Sequence, residues 1–201
     1  MKKLGLFTLG VLITFTLTGC GNNNANMKVD ANKPLTKIGQ YHAEDSDNPK
    51  TTLLAIKDMN KTKKVKQVTF KFNKAKLLKM EAKNSSQLSY DEGNFGINLP
   101  KTYYEYQLDY SLKNNSDSSI HDNGAEIILP NGKQLSSNNG AIDSLVGEKI
   151  QPHASKDGFI QAKVNRKDKT KLNKFKFVTP ELFDNSSEKV NINQETISFN
   201  G

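Results

Sequence analysis

The sequence predicts an all-β protein, and three observations carry that prediction. Apolar residues recur with a period of two, the segments that carry them are short and evenly spaced, and turn-forming residues separate them. A period of two puts one face of a strand into a core and the other into water. In order along the chain, VKQVTFKF alternates at Val68, Phe70 and Phe72, and KAKLLKMEAK reads equally well as helix or strand. TYYEYQLDYSLKN is the clearest case: Tyr104, Tyr106, Leu108, Tyr110 and Leu112 alternate with Glu105, Gln107, Asp109, Ser111 and Lys113. Ala125, Ile127 and Leu129 follow, and then Asn131-Gly132, whose tolerance of positive φ suits a tight hairpin. Ile160, Ala162 and Val164 form another strand, and Phe175 with Phe177 another. Val190 with Ile192 and Ile197 with Phe199 read as a closing hairpin around Gln194. No helical stripe of any length interrupts the series, and no internal repeat is visible. Many short strands of this kind build a sandwich or a barrel.

The amino terminus has a different character. Lys2 and Lys3 precede an apolar stretch from Leu4 to Thr18, the layout of a secretory signal over residues 1–19. A spanning helix needs about 20 apolar residues, so cleavage is the better reading than a permanent span. Leu17-Thr18-Gly19-Cys20 resembles the bacterial lipobox, and Cys20 is the sole cysteine of the chain. That resemblance implies alkylation of the Cys20 thiol by diacylglyceryl and cleavage between Gly19 and Cys20. Thiolate is the nucleophile suited to a thioether, and two acyl chains hold a protein stably where one does not. The expected product is a lipoprotein on the extracytoplasmic face of the cell membrane. With no disulfide available, its stability rests on its core.

Residues 20–50 comprise the lipidated cysteine and a polar stretch rich in Asn, Asp, Lys and Pro, which reads as a disordered tether. Asp45 and Asp47 in EDSDNPK echo a calcium loop, but the turn glycine and the distal Glu are absent. Residues 51–201 suit one domain.

The order of motifs in that domain resembles a widespread family of Gram-positive surface lipoproteins that carry an immunoglobulin-like domain of unknown function. The match runs over about residues 65–180 and rests on turn signatures. A long central strand ends in the Asn-rich turn Lys113-Asn114-Asn115-Ser116-Asp117, the next hairpin contains Asn131-Gly132-Lys133, and Pro152 to Gly158 leads into a late strand. His153 stands where the family places glycine. The resemblance implies an immunoglobulin-like antiparallel β-sandwich in a single-membrane host. It implies nothing about activity, since one fold serves many functions.

Residues that could carry chemistry are scattered. His42, His121 and His153 lack the spacing of a metal pair, and Cys20 is committed to lipid. No nucleophile elbow, Gly-rich phosphate loop or Ser-x-x-Lys set is present. Carboxylate pairs such as Asp91-Glu92 are ordinary in sandwich loops. The expectation is therefore a non-catalytic protein without metal or cofactor; a wall-acting enzyme is the least favoured alternative. Among the tyrosines, Tyr104, Tyr106 and Tyr110 share the core parity of their strand. Tyr103 has the opposite parity and is the candidate for an exposed, ligand-stacking ring.

Charge is more informative. The chain carries 29 basic and 21 acidic residues, a net +8, which falls to +6 once Lys2 and Lys3 leave with the signal. Residues 61–83 hold nine lysines against one glutamate, and residues 163–176 hold seven basic residues against Asp168. If these segments adjoin, Lys66, Lys71, Lys74, Lys174 and Lys176 form one anion-facing patch. Outside the cytoplasm its partners would be an anionic wall polymer or a surface protein, with nucleic acid excluded by compartment. The plain alternative is that these lysines keep sheet faces soluble and edges unpaired. The leading function is a binding or interaction module, and the alternative is a structural protein held to anionic wall polymer by its basic face.

Overall fold

The computed structural model describes residues 27–184 and 190–199; the signal segment, Gly19 and Cys20 lie outside them. The protein is all-β. Its strands are β1 (Met27–Lys28), β2 (Gln40–His42), β3 (Lys50–Val65), β4 (Val68–Glu81), β5 (Thr102–Asn114), β6 (Ile120–Asp122), β7 (Glu126–Ile128), β8 (Gln134–Ser137), β9 (Gly140–Asp143), β10 (Lys149–Ile150), β11 (Ser155–Val164), β12 (Lys176–Val178), β13 (Leu182–Asp184), β14 (Val190–Ile192) and β15 (Thr196–Ser198). A helix, α1 (Ser86–Phe95), and a short 3-10 helix at Arg166–Thr170 complete the set.

The long strands β3, β4, β5 and β11 pair antiparallel in that order. From β11 the pairing continues through β9, β8 and β7 to β12 and β15. The sheet curls back on itself, so β12 faces β4 and β5 across the core. Phe177 meets Phe72 edge-on at 5.0 Å between ring centroids, and Phe175 stacks on Tyr106 at 3.9 Å. The curl closes through side chains: the Lys61 ammonium donates to the Ser198 carbonyl, and Lys63 pairs with Glu195 at 3.5 Å. A second sheet of order β10-β6-β13-β14 adds Ile120, Ile150, Leu182 and Ile192 to the same core.

The alternation is obeyed closely. Val68, Phe70, Phe72, Tyr106, Leu108, Tyr110, Leu112, Ile127, Ile160, Ala162, Val164, Phe175 and Phe177 are all buried in this inner core. KAKLLKMEAK is strand as far as Glu81. A bulge between Phe72 and Lys74 shifts the parity, after which Leu77 points inward and Leu78 and Met80 point outward.

Several expectations are corrected. Val190–Ile192 and Thr196–Ser198 do not pair with each other: β14 joins β13 and β15 joins β12, in different sheets. The pairing is not wholly antiparallel, because β1–β2 and β8–β9 run parallel. The Asn131-Gly132 hairpin exists, but Gly132 alone has positive φ, at 89°. Its N–H donates to Leu129 O at 2.9 Å, and the Leu129 N–H to Lys133 O at 2.8 Å, a three-residue loop rather than the tighter two-residue form.

The largest correction concerns residues 27–50, read as tether. They fold onto the outer face of the main sheet. β2 pairs with β3, the Gly39 N–H donates to Leu53 O at 2.9 Å, and Gln40 Oε1 accepts the backbone N–H groups of Thr36 and Lys37 at 2.7 and 2.8 Å. Leu35 is buried, and helix α1 packs beside this segment. Together they cover Leu53, Leu78, Met80 and Tyr103, a second, outer core. α1 has little amphipathic character, since only Leu88 and Phe95 supply large buried apolar side chains. Tertiary bonds hold it in place: buried Gln87 accepts from Lys83 N–H at 2.6 Å and donates to the Asp45 carbonyl at 2.5 Å. Gly96, at φ 63°, ends the helix where a Cβ would lie 2.1 Å from Asn138 O.

Candidate functional site

The folded segment 31–35 does not lie flush on the sheet. Between it and the outward faces of β4, β5 and β11 is a recess of about 470 Å³. Leu78 and Met80 of the sheet and Leu35 of the covering segment give it an apolar side, and Lys76, Gln107, Gln161, Thr51 and His42 bring polar groups to it. The register explains the convergence: Lys76 lies opposite Gln107, and Gln107 opposite Gln161, so three adjacent strands each place one polar side chain in a row. The row is wired together. Gln161 Nε2 donates to Gln107 Oε1 at 3.3 Å, Gln107 Nε2 donates to Asp109 Oδ1 at 2.6 Å, and Lys76 Nζ meets Asp109 Oδ2 at 2.8 Å. Lys76 is only 8% exposed, and a buried ammonium needs such a partner. His42 is fixed by a 2.8 Å bond between Nε2 and Lys33 O. Apolar surface beside a few fixed polar groups is the usual composition of a small-ligand site.

The predicted lysine patch is not one patch. Lys71 and Lys74 project from the outer face of β4, and Lys66 sits in the two-residue turn between β3 and β4 at φ 50°. Phe175 and Phe177 point inward from the opposite wall, so Lys174 and Lys176 project to the far side of the molecule. Two strands that face each other across a core turn their solvent faces apart. Lys74 is also paired, with Asp58 at 2.7 Å.

Tyr103 is not an exposed ring. It is 2% exposed, and its hydroxyl donates to Asp91 beneath α1. Its parity was read correctly as opposite to the inner core, but the outer face is covered at that point. Tyr106 and Tyr110 are fully buried, whereas Tyr104 is half-buried. The Asp45 carboxylate holds a turn by accepting from the backbone of Asp47 and Asn48 at 2.8 and 2.7 Å. His121 stacks on Phe183, and His153 bonds Asp117 at 3.0 Å.

Each core contains a tyrosine–aspartate bond and one further buried acid. In the inner core the Tyr110 hydroxyl donates to Asp143 Oδ1 at 2.8 Å, and that carboxylate also accepts from Leu145 N–H at 3.1 Å and Ala125 N–H at 2.7 Å. Burial raises Asp143 even so. Asp122 accepts from Gly124 N–H at 3.1 Å, but its Oδ2 is buried and accepts no hydrogen bond from the described residues. Burial, then the charge of Asp143, pushes Asp122 up to about 8. In the outer core burial raises Asp91, and burial followed by the charge of Asp91 pushes Glu105 up to about 8. Shifts of this kind occur in catalytic sites and in structural networks alike. Neither acid lines the recess.

Sequence reasoning missed Lys76, Gln107, Gln161 and His42. The first three carry a signal only once the strand register is known, and His42 lay in the presumed tether. Among the described residues no three His, Cys, Asp or Glu side chains group to hold a metal, and no helix is long and apolar enough to cross a membrane.

No family model and no curated protein matches the chain. Among solved structures, the chain is similar to a functionally unknown protein from Listeria monocytogenes EGD-e, at 16% identity over 74% of this chain and 86% of that one, with a TM-score of 0.48. It is also similar to the yjhA protein from Bacillus subtilis, at 13% identity over 70% of this chain and 97% of that one, again with a TM-score of 0.48.

Proposed function

We propose that this protein is a lipid-anchored, extracytoplasmic binding module that acts without catalysis. The lipobox-like Leu17-Thr18-Gly19-Cys20 supports the anchor, and the recess under residues 31–35 supports binding. The recess is the observation that carries the reading. The chain folds a polar segment back over its own sheet and leaves an open-mouthed recess there instead of packing it shut. Its walls offer two carboxamides, a paired ammonium and an imidazole held by its backbone bond. Such groups suit an uncharged or mildly anionic ligand rich in hydrogen-bond acceptors, with an apolar part for Leu35, Leu78 and Met80.

Capture from envelope extract tests the site. The chain from residue 20 onward, carrying Cys20→Ser, would be immobilised beside the same chain with Gln161→Trp, which fills the recess. A ligand that survives a high-salt wash on the first and is lost on the second is the expected result. Equal capture by both would overturn the recess as the site. The anchor is tested separately by fatty-acid labelling in a lipoprotein-processing host, which Cys20→Ala should abolish.

A further inference from the structure

The outer face of the main sheet has two ends. Residues 27–42 and α1 cover one, and the other, at the β3–β4 turn, is open. Register assigns the side chains there. Thr62, Lys71, Ser111 and Asp157 form one row across β3, β4, β5 and β11, and Lys64, Thr69, Lys113 and Ser155 form the next. Lys64, Lys71 and Lys113 are all exposed on this face, with Lys66 at the turn beyond them. Their inward neighbours Lys61 and Lys63 reach across to Ser198 of β15 and to Glu195 just before it, and do not contribute. Adjacent strands lie about 4.8 Å apart and alternate residues about 6.6 Å apart along a strand. Lys64 and Lys113 are therefore roughly 10 Å apart, with Lys71 between them and one step along. Asp157 is the single carboxylate in the two rows.

Edge protection does not account for this cluster. Lys71 and Lys113 stand on β4 and β5, which are paired on both sides here, so neither guards an open edge. The turn itself is unfavourable for lysine: Lys66 holds a left-handed φ that costs about 1 kcal/mol in a residue with a Cβ. The Asn115 side chain braces the face, donating to Thr69 Oγ1 at 3.0 Å and to the Gln67 carbonyl at 3.2 Å.

The cluster lies far from the amino-terminal end. Met27 pairs with Gln40 on β2, which lies beside Leu53 on β3. Lys64 is eleven residues further along that strand, roughly 35 Å away. Residues 20–26 extend at most about 25 Å. An upright molecule anchored at Cys20 thus presents the lysines on the side away from its membrane, beyond the roughly 10 Å reach of unscreened surface charge.

We infer that Lys64, Lys71 and Lys113, with Lys66 at the tip, form a docking face for a soluble phosphate-bearing polymer, engaged at the end of the molecule opposite its anchor. This rests on the anchored reading for its orientation only, and it is independent of the recess.

The test uses the chain from residue 20 with Cys20→Ser, so binding is read without any lipid. The probes are long-chain inorganic polyphosphate and, separately, phosphatidylcholine vesicles with and without phosphatidylglycerol. A cluster variant (Lys64→Gln, Lys71→Gln, Lys113→Gln) is compared with a control of equal charge (Lys57→Gln, Lys167→Gln, Lys174→Gln). The cluster variant should bind polyphosphate about tenfold more weakly and with a shallower salt dependence, while the control stays within about twofold. Matching losses in the two variants would reduce the effect to net charge and overturn the site. So would absence of polyphosphate binding, or cluster-dependent capture by phosphatidylglycerol vesicles in preference to polyphosphate. Failure of Cys20 to take up fatty acid would remove the anchor and leave the polymer measurement untouched.

Discussion

The inner and outer cores are built from opposite faces of the same strands, yet they are different kinds of structure. The inner core is large and aromatic, with Phe70, Phe72, Tyr106, Tyr110, Phe175 and Phe177 interlocked across two walls. The outer core is small and depends on covering elements of weak intrinsic preference. α1 keeps its place through Gln87 and Gly96, and segment 27–42 through Leu35 and a few backbone bonds. A sheet fixed by one face leaves the other free to carry features that packing does not demand. In this protein that second face carries both the recess and the lysine cluster.

The largest effect should come from the inner core. Phe72 is fully buried and touches Tyr110, Phe177 and Phe199, so Phe72→Ala should cost about 3–5 kcal/mol in urea unfolding. A loss below about 1 kcal/mol would show that the two walls are not packed as described.

Asp122 gives a pH-dependent effect of nearly that size. Its folded pKa is raised above the roughly 3.9 of an unfolded aspartate, so the folded protein holds a proton that the unfolded chain releases. Its contribution to stability is complete below about pH 4 and declines as pH rises to about 8, by about 1.4 kcal/mol per unit at most. Asp122→Asn should therefore gain on the wild type with rising pH, by a few kcal/mol and at most about 5 kcal/mol at pH 8, and show little difference near pH 4. A pH-independent difference would mean that Asp122 is ionised throughout. Glu105→Gln should behave in the same sense, with its gain read in the amide protection of α1.

Leu35→Ala sharpens the contrast between the cores. It should cost about 2–3 kcal/mol, and amide exchange should quicken first in α1 and β2 while β5 and β11 stay protected. Uniform loss of protection would mean that the two cores unfold as one unit. The smallest effect belongs to His153, which holds a left-handed φ of 60° at an exposed turn. His153→Gly should change stability by less than about 1 kcal/mol, because relief of the left-handed cost opposes the greater freedom of glycine in the unfolded chain.

The inner core was legible because strict alternation survives any choice of partner strand. Tyr106, Leu108, Tyr110 and Leu112 point one way wherever that strand lies. The outer core was illegible for the same reason. Tyr103 carries the parity assigned to water, Leu78 and Met80 reach the outer face only through the bulge after Phe72, and only a cover identifies all three as core. Leu35 and Val29 sit among Asn, Lys and Asp, so local composition described residues 27–50 as tether although long-range pairing with β3 orders them. The recess was invisible because Lys76, Gln107 and Gln161 are far apart in sequence and meet only through register. The lysine patch failed on geometry: both basic segments are real, but the strands that carry them face each other across the core.

An all-β fold, the inward parity of Val68 to Phe72 and of Tyr106 to Leu112, and the lipobox-like motif at Cys20 are legible in the sequence, since these depend on local pattern. Tertiary structure alone decided which outward faces are covered, which lysines share a surface and where a recess remains. Those properties depend on which strands become neighbours, and neighbours are chosen by the summed burial of the whole chain.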